Sequence, residues 1–186
     1  MAGRKAVLST SEVRREAVIR SAMAVFAVNG YLGTPVTDIA KRARISPAYV
    51  FKLFPSKEEL FVAALERCFE LILEALAKGA DESTDQTPDT VLFAMGGAYA
   101  ALIANRNLLL LQIHAQSAAT VPPIAKAFRK GLEAITRFVK DRSQAPDEMV
   151  QRFMAYGQLC HLITTMGLEK DPAPWAQVLT NGFRHP

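Results

Sequence analysis

FAVNGYLGTPVTDIAKRARISPAYVFKLFPSKEEL, residues 26 to 60, packs three helix starts and the stops between them into one short stretch. Asn29-Gly30 is a helix stop, because glycine supplies the left-handed turn that ends a helix. Thr34-Pro35 opens the next helix: threonine suits the N-cap, and proline suits the first turn, where its missing N–H is not needed. Ile39 and Ala40 face inward, the helix ends near Ala43, and Arg44-Ile45 makes a turn. Ser46-Pro47 repeats the cap-then-proline signal and starts a helix from Pro47 to about Phe54, anchored by Val50 and Phe54, four residues apart on one face. Pro55-Ser56 breaks it. Ser56 then caps a longer helix, with Glu59 three residues on as the partner of a capping box.

Outward from this stretch the periodicity stays helical. Val18, Ala22, Val25 and Phe26 share one face of a helix expected over 11–28, capped by Ser9, Thr10 or Ser11 and preceded by a loose basic arm, residues 1–9. Phe61, Ala64, Leu65, Cys68, Phe69 and Ile72 mark the core face of the helix that starts at Ser56 and ends near Gly79. Residues 80–88 are polar and read as a linker. Helices follow at about 89–105, 107–119, 122–141, 147–167 and 173–182, and no segment alternates as a strand would. The expected fold is all-α: a three-helix helix-turn-helix unit over 1–55, a connecting helix over 56–79, and a helical ligand-binding and dimerisation bundle over 80–186.

Charge is unevenly placed. Residues 1–57 hold ten Lys or Arg against three acids, while the remainder holds 12 against 15. A basic first third on a mildly acidic body suits contact with a polyanion. Cys68 and Cys160 lie in apolar helical patterns and read as free buried thiols. No metal-ligand spacing, paired carboxylates or Ser-His-Asp arrangement emerges, so neither a metal, a cofactor nor catalysis is expected. The first ten residues have no secretory pattern, and no stretch has the roughly 18 to 20 apolar residues of a membrane span, so a cytoplasmic location is expected.

Two short helices joined by a tight turn and held by longer ones make a helix-turn-helix, whose second helix enters the major groove of double-stranded DNA. Pro47, Ala48 and Tyr49, at the start of that helix, are positioned to reach base edges. Lys52 and Lys57 suit phosphates. Thr34 and Thr37, at the start of the preceding helix, can bond the backbone across the groove, and Ser46, Arg44 and Phe51 complete the candidate DNA surface.

The stretch from Phe26 to Leu60 resembles the DNA-binding domain of the tetracycline-repressor-like (TetR) family. Its spacing, its turns and its Phe54-Pro55-Ser56-Lys57 exit all follow the family pattern. The rest of the chain resembles the family in architecture. Two positions depart from the pattern. Arg44 stands where the family usually has glycine, and a side chain in the left-handed region costs roughly 1 kcal/mol. Phe51 stands where the family usually has a tyrosine that donates to a phosphate, a bond phenylalanine cannot make. The resemblance implies a homodimer on a palindromic operator and a small-molecule effector bound inside each C-terminal domain, with dimerisation through 147–167 and 173–182.

The residues of the second unit support that expectation. Between Asp89 and Lys126 the only charge is Arg106, and from Phe153 to Leu168 there is none. A helix without a charged face is buried on more than one side, within the bundle or against a partner. The helices at 89–105 and 107–119 would wall a mostly apolar cavity. Candidate ligand residues are Phe93, Tyr99, Gln112, His114, Phe128 and Tyr156, with His114 foremost. His161 is assigned to the subunit interface, and Trp175 is a candidate anchor there. Gly96-Gly97, mid-helix, offsets its roughly 1 kcal/mol per glycine by close helix approach or by making room for a ligand. The expected function is a DNA-binding repressor released by a small, mostly apolar ligand. A ligand-independent regulator or activator of the same fold, or a helical small-molecule binding protein, stand as alternatives.

Overall fold

The computed structural model describes residues 10–182, which form nine α helices, one 3-10 turn and no strand. The basic arm at 1–9, with Ser9, lies outside the described residues. Helix α1 runs Thr10–Gly33 but is broken at Gly30, where φ is 70° and ψ 179°. The Asn29-Gly30 stop is therefore real as a break, and one further turn follows it. Val18, Ala22 and Phe26 are buried, joined by Ile19 and Met23.

Helices α2 (Val36–Ala43) and α3 (Pro47–Leu53) form the short pair. Arg44 closes α2 in the left-handed region, φ 56° and ψ 43°. The Ile45 N–H bonds the Ala40 carbonyl at 3.1 Å and the Arg44 N–H bonds that of Lys41 at 3.2 Å. These two bonds make a Schellman motif, usually built on glycine at the position Arg44 holds. Ser46 caps α3, its hydroxyl oxygen accepting from the Tyr49 N–H at 3.2 Å. The expected cap at Thr34 is corrected. Pro35 occupies the N-cap position of α2, and no side chain caps it. Thr34 instead turns inward, 1 % exposed, and donates to the Gly30 carbonyl at 2.7 Å. Satisfying the backbone beside the break takes the hydroxyl away from the surface.

Helix α4 (Lys57–Asp81) is the spine, capped by Ser56 through the Glu59 N–H. Its whole expected inner face is buried, extended by Leu76 and Ala80. Its N-terminal half meets α1, where Phe61 stacks edge-on against Phe26 and Tyr31. Its C-terminal half packs on α5 (Pro88–Ile103) and α7 (Pro122–Ser143). Gly79 sets the approach to α5: a Cβ there would lie 2.7 Å from the Ala98 Cβ and 2.8 Å from the Ala94 carbonyl oxygen. Helix α6 (Arg106–Ser117) lies against α1, and α8 (Asp147–Met166), the turn Leu168–Lys170 and α9 (Pro174–Thr180) complete the bundle. Buried side chains from Val18 to Val150 belong to one contiguous apolar cluster, so the short helices and the bundle share a core.

Cys68 and Cys160 are free and buried. The Cys68 thiol lies 3.6 Å from the Leu108 carbonyl, and burial pushes its pKa to about 12, so it stays protonated. Among the described residues no helix is long and apolar enough to cross a membrane, and no acidic, His or Cys cluster has the makings of a metal site.

Candidate nucleic-acid interface and internal cavity

All but one of the candidate DNA residues are exposed or half-exposed. Thr37, Arg44, Ser46, Pro47, Ala48, Phe51 and Lys52 are exposed, and Tyr49 and Lys57 are half-buried. Thr34 is withdrawn: buried, with its proton already donated, it offers nothing to a phosphate. Val50 and Phe54 are buried beneath α3 and fix its outward face. The Ser46 cap orders the first turn, so Pro47 and Ala48 project outward on a defined backbone.

Two cationic side chains shape this surface. The Arg14 guanidinium lies 5.7 Å from the centre of the Tyr49 ring, within cation–π range, and positions the tyrosine from α1. Arg14 was not among the expected residues; 35 positions separate it from Tyr49, and no local pattern joins them. The Lys57 ammonium lies 4.9 Å from the Tyr31 ring and 3.4 Å from the Leu32 carbonyl, which ties the start of α4 to the segment after the Gly30 break.

The bundle holds a cavity of about 480 Å³. Its apolar wall comes from Phe69, Ile72 and Leu76 of α4, Leu92 and Phe93 of α5, Leu132 and Ile135 of α7, and Met149, Phe153 and Met154 of α8. Gly96, Gly97 and Gly157 also line it, so the paired glycines make room rather than a helix contact. Of the expected ligand residues, Phe93, Tyr99, Gln112 and Tyr156 line the cavity.

His114 and Phe128 do not. His114 points from α6 to the Gly30 break, where its Nδ1 lies 2.9 Å from the place a Cβ would occupy. Gln112 and His114 are two residues apart, hence on opposite sides of α6, and only Gln112 reaches the cavity. Helix α6 consequently contributes little wall, contrary to expectation; α4, α7 and α8 join α5, which lines the cavity as expected. Phe128 stacks edge-on against Phe69, 5.4 Å between centres, and belongs to the core behind the wall.

His161 is also reassigned. It is buried inside the subunit, 4 % exposed, with Nε2 2.6 Å from the Tyr99 hydroxyl. Burial lowers its pKa to about 4, so the ring is neutral, and burial likewise raises that of Tyr99. Tyr99 and Gln112 meet at 3.4 Å, giving the cavity one buried polar end. Arg152 and Asp89, both exposed, also line it.

A helix-turn-helix with an exposed second helix and a basic rim, joined to a bundle that holds a cavity, has the architecture of a helix-turn-helix DNA-binding protein. Comparison with known proteins agrees. Residues 18–64 match the family described as bacterial regulatory proteins, tetR family. The chain is 29% identical over 69 residues to the biofilm operon icaADBC HTH-type negative transcriptional regulator IcaR of Staphylococcus epidermidis, 37% of each chain. It is 35% identical over 74 residues to the HTH-type transcriptional repressor KstR of Mycolicibacterium smegmatis, 36% of each chain. These alignments thus span little more than a third of the curated relatives' length. The fold match is wider. The Bacillus subtilis regulator FadR, solved with stearoyl-CoA, aligns at a TM-score of 0.69 and 16% identity over 91% of this chain and 99% of that one. A TetR-family regulator of Agrobacterium tumefaciens aligns at 0.70 and 14% identity, over 91% and 93%. Residues 18–64 thus match the tetR-family DNA-binding model, and the chain shares its overall fold with solved regulators of that kind.

Proposed function

We propose that this chain is a repressor that binds a palindromic operator as a homodimer and leaves it when a small, mostly apolar effector enters the cavity. Residues 1–55 serve as the DNA-binding unit, 56–79 as the connecting helix and 80–186 as the effector and dimer unit. Pro47, Ala48 and Tyr49 read base edges, while Arg44, Ser46, Lys52 and Lys57, with Thr37 across the groove, hold phosphates. Phe51 packs on the sugar-phosphate.

The observation that carries this reading is the double duty of α4. Phe69, Ile72 and Leu76 wall the cavity, and the same helix holds Phe26 and Tyr31 through Phe61 at its other end. A ligand that fits only a displaced α4 shifts the population toward a form whose recognition helices no longer match successive major grooves about 34–36 Å apart. A regulator without an effector would have no use for a cavity of this size, which lies within the usual range for small-molecule sites.

Dimerisation is supported by α8 and α9. Ala155, Leu159, Leu162 and Met166 follow one another at helical spacing on an uncharged stripe, and Leu162 and Met166 are exposed. Trp175 and Val178 of α9, a helix that packs on α8, are 56 % and 77 % exposed. Such apolar exposure fits a partner surface.

The test is sedimentation and operator binding on one preparation. Wild type is expected to sediment as a dimer and to select an inverted repeat from random DNA. Leu162→Glu with Val178→Glu is expected to give monomers that bind the repeat at least about tenfold more weakly. A monomeric wild type, or selection of a site without two-fold symmetry, would refute the dimer reading.

A further inference from the structure

The buried polar end of the cavity restricts what the effector can be, an inference that rests on the effector reading above. The His161 ring is neutral and carries one proton. Its Nδ1 is buried and has no hydrogen-bond partner. With the proton on Nδ1, a buried donor would be orphaned. With it on Nε2, Tyr99 oxygen accepts it at 2.6 Å, and the orphan is an acceptor, the less costly of the two. His161 therefore donates to Tyr99, and the tyrosine's own proton is left over. Its nearest acceptor is Gln112 Oε1 at 3.4 Å, the long limit of a hydrogen bond. Gln112 Nε2 donates to the Leu108 carbonyl at 3.1 Å and also lies 3.4 Å from the Tyr99 oxygen, where it can only donate. Tyr99 is thus a donor on the cavity wall with room for a better acceptor.

The charge balance decides what kind of acceptor. Every group at this end is neutral, so an ionised carboxylate there would be desolvated with no cation to meet it. The lining holds one basic and one acidic side chain, Arg152 and Asp89, both exposed. Arg152 is already paired with Glu148 at 3.2 Å. We infer that the effector is an uncharged, largely apolar molecule carrying a carbonyl-type oxygen, received by the Tyr99 hydroxyl, with Gln112 and His161 as the residues that position that hydroxyl.

The test compares methyl decanoate with decanoate, the same chain with and without charge, at a pH where decanoate is fully ionised. Binding is read by displacement of Nile red from the full chain. The ester is expected to bind at least about tenfold more tightly than the anion. Tyr99→Phe, which deletes one oxygen, should weaken the ester about tenfold and the anion less than about twofold. Should that variant fail to fold, Gln112→Met must narrow the ester-to-anion ratio in the same direction. Equal or tighter binding of decanoate, or an ester affinity unmoved by Tyr99→Phe, overturns the inference. Gly96→Leu, which fills the cavity, locates the probes. If it abolishes binding of a preferred anion, the inference falls and the effector cavity stands. If wild type binds neither probe, both fall.

Discussion

Gly30→Ala is the substitution whose outcome follows most directly from the geometry. Gly30 combines φ 70° with ψ 179°, a region essentially closed to residues with a Cβ. Holding alanine there costs about 1–3 kcal/mol, whatever the surrounding space. The space is also taken, because the new methyl would sit 2.9 Å from His114 Nδ1. Moving the imidazole would disturb the contact of α6 with α1, and Thr34 would lose alignment on the Gly30 carbonyl. In a chain of this length 1 kcal/mol corresponds to roughly 2–4 °C in Tm, so a fall of at least about 3 °C is expected at fixed protomer concentration. The assay is thermal unfolding followed by circular dichroism, with the double variant Gly30→Ala, His114→Ala beside it. Removing the imidazole relieves the steric part and leaves the backbone part, so the double variant should recover some but not all of the loss, measured from His114→Ala alone. A Gly30→Ala protein as stable as wild type would refute the assigned backbone conformation. Full recovery in the double variant would show that crowding, not backbone geometry, fixes glycine there.

Other outcomes follow from single features. Arg44→Gly relieves a left-handed arginine and should raise stability by about 0.5–1 kcal/mol in urea unfolding, while the salt slope of DNA binding falls by about 1 per subunit. Gly79→Ala drives a methyl against the Ala94 carbonyl, a backbone atom that cannot swing aside, and should cost about 1–3 kcal/mol in the same assay. His161 is neutral when folded, with its pKa lowered by burial to about 4 against an ordinary 6.5. Between those values the unfolded chain binds the extra proton, so this contribution to stability is whole above pH 6.5 and is lost as pH falls toward 4. The loss is on the order of 3 kcal/mol at most, and His161→Gln should flatten that window of the pH–stability curve; an unchanged curve would contradict a buried neutral histidine.

Local chemistry made the helix-turn-helix legible. Proline, serine and glycine at fixed offsets dictate caps and stops through backbone geometry alone, and Ser46, Ser56, Gly30 and Arg44 act as that chemistry requires. Thr34 was misassigned because two local bonds compete for its hydroxyl, and burial beside Gly30 decides between them. In the bundle, periodicity identified apolar helices but not the neighbour each face meets. His114 and His161 illustrate this: both lie mid-helix in uncharged stretches, yet one covers the α1 break and the other supports Tyr99. The side each faces depends on the rotation of α6 and α8 within the bundle. The cavity wall from α4 was hidden for the same reason, since Phe69, Ile72 and Leu76 read as ordinary core.

The central claim, that α3 and its rim form a DNA-reading surface, is tested most directly by the salt dependence of affinity for the selected DNA. With Arg44, Lys52 and Lys57 on phosphates in both subunits, log K should fall against log salt with a slope of about −5. Tyr49→Ala with Lys57→Ala should lower affinity at least about a hundredfold and shallow the slope by about 2, one phosphate per subunit. A double variant that binds the DNA as tightly as wild type, with the same slope, would contradict the account.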